Sequence, residues 1–342
     1  MHRFTPLRMN NSTLSTVAPG AKVYVTSAYP DPEPISAFRA FAAQDRVQKH
    51  TVVSSPDEAD IILFIENSRY HADYFFSALK NHPLVKKYPA KVFMYNPHDK
   101  PWYILPGMYM CMPKNRFAPA RMAAGPYVET INPYITCDFS NEPQFLFSFY
   151  GATTSSPVRH EVAKLTHPRG NVLISNVAMY VNDRPKDLQL RYANLLTNSK
   201  FVLCPKGFGP SSIRLFETLR AGRVPVIISD ELVCPAGADW TKFAVFVPES
   251  RVSEIPQILE KEELHWQEKA KLARQVWEES FAPDTLFNYF VDSILALDVR
   301  KKFGLEVAVR HSLVFMRYGL SKTVVRKVKE LAQPLLASAK KN

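Results

Sequence analysis

Short runs of β-branched and aromatic residues alternate with stretches of helical spacing along most of the chain. Residues 22–27 (KVYVTS) predict a strand, 34–46 a helix, and the apolar runs 51–53 and 61–66 (IILFIE) two further strands. Helical spacing returns over 70–80, and a β-like run over 91–95 (KVFMY). Strands separated by helical patterns imply a parallel sheet with helices on its faces. A long irregular stretch follows, roughly 96–144, rich in Pro, aromatics and amides, and so long a loop region is usually functional or connecting. The alternation resumes with strand 145–151 (FLFSFYG), a helix from Pro157, strand 171–175, a helix over 186–198 and strand 200–203. A Gly-Pro loop, a helix over 212–221 and strands at 224–228 and 243–247 complete it, and from 252 onward the pattern is helical. Two βα sets of similar size predict two Rossmann-like domains, 21–140 and 141–298. A polar leader (1–20) precedes them and a basic helical tail (299–342) follows.

A length of 342 residues fits two domains, and 46% apolar residues supply ordinary cores. Four cysteines without a CxxC pair argue against a zinc ribbon and fit a reducing compartment. The first twenty residues lack the apolar core of a signal peptide, and no run approaches the ~18 apolar residues of a membrane span. The expectation is a cytoplasmic protein. Net charge is +11, but residues 299–342 hold eleven Lys/Arg and two Glu, a net of +9 that leaves only +2 for residues 1–298. A near-neutral body without an RNA or DNA motif argues against a nucleic-acid partner.

The sharpest segment is 199–230, SKFVLCPKGFGPSSIRLFETLRAGRVPVIISD. A β run enters a loop with Gly207 and Gly209, and Pro210-Ser211-Ser212 supplies N-cap chemistry for a helix. Glycines admit close approach of a ligand, and the unpaired N–H groups and dipole of the helix suit a diphosphate. At ~100° per residue Ser212, Leu215, Phe216 and Leu219 share the sheet-facing side, with Arg214 and Glu217 opposite. Arg214 suits a leaving diphosphate, and Glu217 suits two vicinal ribose hydroxyls. The plain alternative for the two is a solvated i,i+3 pair.

Residues 199–259 resemble the exostosin family, glycosyltransferase family 47. The likeness rests on FVLCPKGFGPSSIRLFETLRAGRVPVIISD, Pro235, Trp240 and VFVPESRVSEIPQIL. SPDEADIILFIE, NPHDKPWYILPG and the segment from Gly151 to Arg159 match more sparsely. The resemblance implies an α/β GT-B fold, two Rossmann-like domains facing a cleft, with a C-terminal helical extension. It implies a nucleotide-sugar donor on the C-terminal domain and a glycan or lipid-linked acceptor on the N-terminal one. By that analogy Glu217 binds the donor ribose, while Ser211, Ser212 and Arg214 lie at the diphosphate. Where family members carry basic residues after the glycine matched by Gly151, this chain has Ala152-Thr153-Thr154, leaving Arg159 as a distal basic partner.

No Asp-x-Asp occurs, so the expected transferase needs no metal and no cofactor beyond its donor. An inverting transfer needs a base; Glu66 at a strand end, His98 and Asp99 are the candidates, the latter two also fitting a plain turn between Pro97 and Pro101. Trp102, Tyr103, Tyr109 and Tyr127 are candidates for stacking on acceptor sugars or for packing. His160, Glu161 and His167 have the wrong spacing for a zinc helix. The competing function is a non-catalytic nucleotide-sugar- or glycan-binding protein of the same fold. The helical spacing and basic flanks of 305–318 and 321–336 suit the inner face of an anionic membrane, or packing on the body.

Overall fold

The computed structural model describes residues 20–29, 33–66, 73, 76–127, 132–175 and 185–317. The leader as far as residue 19, most of the 70–76 part of the second helical prediction and the tail beyond residue 317 lie outside the described residues.

Two all-parallel sheets form the frame. The first contains β1 (Lys22–Thr26), β2 (Thr51–Val52), β3 (Ile61–Ile65), β4 (Val92–Asn96), β5 (Gly107–Tyr109) and β6 (Met122–Ala124), in the order β2-β1-β3-β4-β5-β6. The second contains β7 (Phe145–Gly151), β8 (Gly170–Ile174), β9 (Ser199–Pro205), β10 (Val224–Ile228) and β11 (Val245–Phe246), in the order β11-β10-β9-β7-β8. β3, β10 and β9 from Phe201 onward read as unbroken apolar runs because sheets covered on both faces bury both sides of their strands. The stretch expected to be irregular contributes two strands to the first sheet. β5 and β6 are three residues each and are joined to their neighbours without an α-helix, so neither leaves a periodic signal.

Around the first sheet lie α1 (Glu33–Ala43), α2 (Ser77–Asn81) and α3 (Pro83–Lys87). Around the second lie α4 (Pro157–Ala163), α5 (Lys186–Thr197), α6 (Ile213–Arg220), α7 (Ile255–Glu262) and α8 (Trp266–Val276). The chain then returns. α9 (Leu286–Leu295), which the sequence pattern places with the second half, buries Phe287, Phe290 and Ile294 in the core of the first sheet. Its rings meet Phe38 of α1 at 5.7 and 5.0 Å, and Asp292 pairs with Lys49 at 2.7 Å. A last helix, α10 (305–317), packs on the opposite face of the first sheet beside Trp102 and Tyr103. Two Rossmann-like units with a C-terminal helical return are the GT-B arrangement that the family resemblance implies.

Candidate active site

Both sheets reverse their winding at one point, and open parallel sheets bind ligands there, beyond the carboxyl ends of their strands. In the second sheet the reversal falls between β7 and β9. Gly151 ends β7 and Lys206-Gly207 follows β9. Arg214 enters this crevice from α6 and is only 5% exposed. Its Nη2 donates to the Tyr150 carbonyl at 2.7 Å, and its guanidinium lies 4.5 Å from the Phe149 ring centroid. Nε and Nη1 are buried without a partner among the described residues. Gly151 makes room for this, since a Cβ there would stand 2.7 Å from Arg214 Nη2.

Arg159, from α4, joins the same crevice. It donates to the carbonyls of Lys206 (3.0 Å), Ala152 (3.2 Å) and Pro205 (3.5 Å), which fixes its position. Burial and the charge of Arg214 bring its pKa down to about 10. Its Nη2 is 3.4 Å, and Ser155 Oγ 4.0 Å, from where a Gly207 Cβ would be. The hydroxyls of Ser155 and Ser156, between β7 and α4, and of Ser229, just after β10, are likewise buried without partners among the described residues. Two repelling guanidinium groups among unsatisfied donors are costly in isolation, each unmet buried donor by roughly 1–3 kcal/mol. An anion relieves both costs at once.

The loop expected to cradle that anion also joins the two halves. A Cβ on Gly209 would lie 2.3 Å from the Asp99 carbonyl oxygen and 2.8 Å from Cys111, so only glycine fits against the first domain. The Ser211 backbone hydrogen-bonds to the Cys111 thiol, which burial pushes up to about 12. Ser211 and Ser212 are buried; Ser212 has extended N-cap torsions, but its hydroxyl makes no cap hydrogen bond. The capping chemistry expected from the sequence is therefore absent at this residue. Phe208 is half exposed at the loop tip, near Lys100 of the first domain.

The expected outward face of α6 is corrected by its burial. Arg214 and Glu217 are both inside, and neither the solvated pair nor any ion pair between them forms. α5 and the segment around Asn132 cover the side that the periodicity assigns to solvent. Glu217 accepts from the Tyr192 hydroxyl at 2.6 Å and from the Asn132 N–H at 3.3 Å. Asn132 is itself held by its amide to the Gln189 carbonyl (2.8 Å) and by Arg220 on its own carbonyl (3.2 Å). Tyr192 and Asn132 carry no motif, and their pairing with Glu217 across 25 and 85 positions has no sequence signal.

In the first sheet the reversal falls between β1 and β3, and Glu66 follows β3 at that point. It is 1% exposed and accepts from Ser27 Oγ (2.9 Å) and the Ala28 N–H (3.2 Å), both just after β1. Burial outweighs these bonds and raises its pKa to about 7. His98 sits in a turn: its N–H donates to Asn96 Oδ1 and its Nδ1 accepts from the Lys100 N–H. Asp99 is raised by burial, with Cys111, Lys100 and Arg159 opposing the shift. The stacking role is corrected for Trp102 and Tyr109, which are core residues, the Tyr109 hydroxyl donating to the Leu105 carbonyl at 2.7 Å. Tyr103 packs on Phe303, and the Tyr127 hydroxyl meets the Cys111 sulfur. Among the described residues no group of three or more His, Cys, Asp and Glu converges as metal ligands would.

A family model described as the exostosin GT47 domain matches residues 77–261, more than half of the chain. An Exostosin-1 homolog of Caenorhabditis elegans is 44% identical over 70 residues, 20% of this chain and 18% of that protein. A probable beta-1,4-xylosyltransferase, IRX10 of Arabidopsis thaliana, is 38% identical over 79 residues, 22% of this chain and 19% of that one. The chain thus matches under a fifth of the length of either relative. Among solved structures, Anabaena HepE in complex with UDP-glucose is 10% identical, with a TM-score of 0.41 over 81% of this chain and 100% of that one.

Proposed function

We propose that this chain, which belongs to the exostosin GT47 family, is a glycosyltransferase whose nucleoside-diphosphate-sugar donor binds at the β7–β9 crevice. The observation that carries this is the pair of buried Arg214 and part-buried Arg159, with Nε and Nη1 of Arg214 and the Ser155 hydroxyl beside Gly207 all partnerless among the described residues. A diphosphate supplies the missing charge and acceptors. It also develops charge as the sugar leaves, so the same donors stabilise the transition state more than the bound donor. Gly207 lets the loop backbone lie close to the phosphates, while Gly209 holds the loop against the first domain. Glu217 accepts from the ribose hydroxyls, with the Asn132 N–H as the contact that the ribose replaces.

The acceptor, a glycan or lipid-linked glycan, binds on the N-terminal half. Its hydroxyl gives a proton to Glu66, whose pKa of about 7 suits a base at neutral pH. Attack on the face of the anomeric carbon opposite the diphosphate inverts it: the new C–O bond forms, the bond to phosphate breaks, and the electron pair leaves with the diphosphate. The arginine pair and the absence of Asp-x-Asp support a transfer without a metal ion, and the product we propose is a cell-surface polysaccharide or glycoconjugate.

The test is a panel of nucleotide sugars. A donor at a hundred times its Kd should stabilise the fold by ~2.7 kcal/mol, and its transfer or slow hydrolysis should continue in excess EDTA. Turnover that EDTA abolishes and Mn²⁺ restores would overturn the metal-free reading. Binding without any turnover would instead make the chain a donor-binding protein.

A further inference from the structure

The two sides of α10 have opposite surroundings. Its inner side is fastened to the first domain: His311 accepts the Tyr103 N–H on Nδ1 at 3.3 Å and meets the Arg116 carbonyl through Nε2 at 2.8 Å. Phe315 meets the edge of Trp102 at 6.3 Å, and just before the helix Phe303 packs on Tyr103 at 4.5 Å. These contacts fix which side of the helix faces away.

On that outer side stand Leu305 (81% exposed), Leu313 (55%), Val309 and Met316 (48% each). At ~100° per residue the four fall within about 80° of arc, a narrow and continuous apolar stripe. The charged residues near it are mainly cationic. Arg300, Lys301 and Lys302 are exposed where the chain enters the helix, and Arg310 and Arg317 flank the stripe on one side. Two acidic residues stand among them, Asp298 at 3.6 Å from Arg300 and 3.7 Å from Lys301, and Glu306 paired with Arg310 at 2.5 Å; against five cations they leave residues 298–317 a net charge of +3.

We infer that the outer side of α10 docks on an anionic lipid surface, lying in the interface with Leu305, Val309, Leu313 and Met316 below the headgroups. Charge complementarity selects this occupant: an apolar stripe bordered by cations matches acyl chains bordered by anionic headgroups. The inner contacts carry the orientation to the rest of the molecule. Since α10 lies against Trp102, Tyr103 and Arg116, docking brings the first sheet towards the lipid surface. Nothing in this depends on the proposed reaction.

The experiment is co-sedimentation of the full chain with vesicles of phosphatidylcholine alone or mixed with phosphatidylglycerol. Wild-type protein is expected to pellet with the anionic vesicles at low salt and to be released by high salt. Leu305→Glu/Leu313→Glu and Lys301→Glu/Lys302→Glu should each lower the partition coefficient at least about tenfold. All four side chains are exposed, so the melting temperature checks that the variants remain folded. A wild-type chain that stays in the supernatant with anionic vesicles at low salt overturns the inference. So do folded variants that sediment like wild type, since binding would then lie elsewhere, and so does equal binding to neutral vesicles by all three proteins.

Discussion

Arg214→Ala is expected to lower kcat by about 100- to 1,000-fold while the donor KM changes far less. Among the described residues this guanidinium makes one hydrogen bond, to the Tyr150 carbonyl, and keeps two buried nitrogens unpartnered. Such a group is poorly satisfied until charge appears beside it, and the largest charge appears as the sugar–phosphate bond breaks. Its removal therefore costs the transition state more than the bound donor. The fold should tolerate the loss, because a buried, incompletely paired cation beside Arg159 adds little to stability. Arg214→Lys retains charge but cannot reach Tyr150 and the ligand together, and should recover only part of the rate. A kcat within a few-fold of wild type in Arg214→Ala would remove this residue from the reaction.

Glu66→Gln should lower kcat by about 100- to 10,000-fold, the usual contribution of a positioned base. It also has a signature that a structural role lacks. In wild type the rate should rise with pH as Glu66 ionises, with an apparent pKa of about 7, and this limb should vanish in the variant. Stability should move the opposite way. A carboxyl raised from 4.5 to about 7 by burial holds its proton more tightly when folded. Its contribution is thus complete below about 4.5 and is lost as pH rises through 7, by roughly 3 kcal/mol. Glu66→Gln should flatten that decline. A retained limb, with a matching loss in Asp99→Asn, would transfer the role to Asp99.

Long periodic elements and the Gly-Pro loop are legible in the sequence because they depend on neighbours in the chain. β9, α6 and β10 follow from their own spacing, and so does the turn that carries Gly207 and Gly209. What α6 touches is not legible. A helical wheel assumes one buried side, but α5 and the Asn132 segment cover the other, so Glu217 is a buried acceptor rather than a surface carboxylate. Ser155, Ser156 and Ser229 are unremarkable in the sequence and become informative only because their buried hydroxyls have no partner among the described residues. Gly151 is the reverse case: its place at the end of a strand is clear, but its purpose, room for Arg214, needs the packed structure. The pattern places α9 with the wrong half, because an apolar stripe does not encode which core receives it.

The central claim is that the paired arginines and Glu217 form a site for a nucleoside diphosphate. Calorimetric titration of UDP, GDP, UMP and uridine into the metal-free protein, and into Arg159→Ala/Arg214→Ala and Glu217→Gln, tests it most directly. One of the diphosphates should bind well above its monophosphate or nucleoside; the double variant should erase that advantage, and Glu217→Gln should weaken binding without changing its dependence on phosphate number. If neither diphosphate binds, or if the double variant binds one as wild type does, the claim is contradicted.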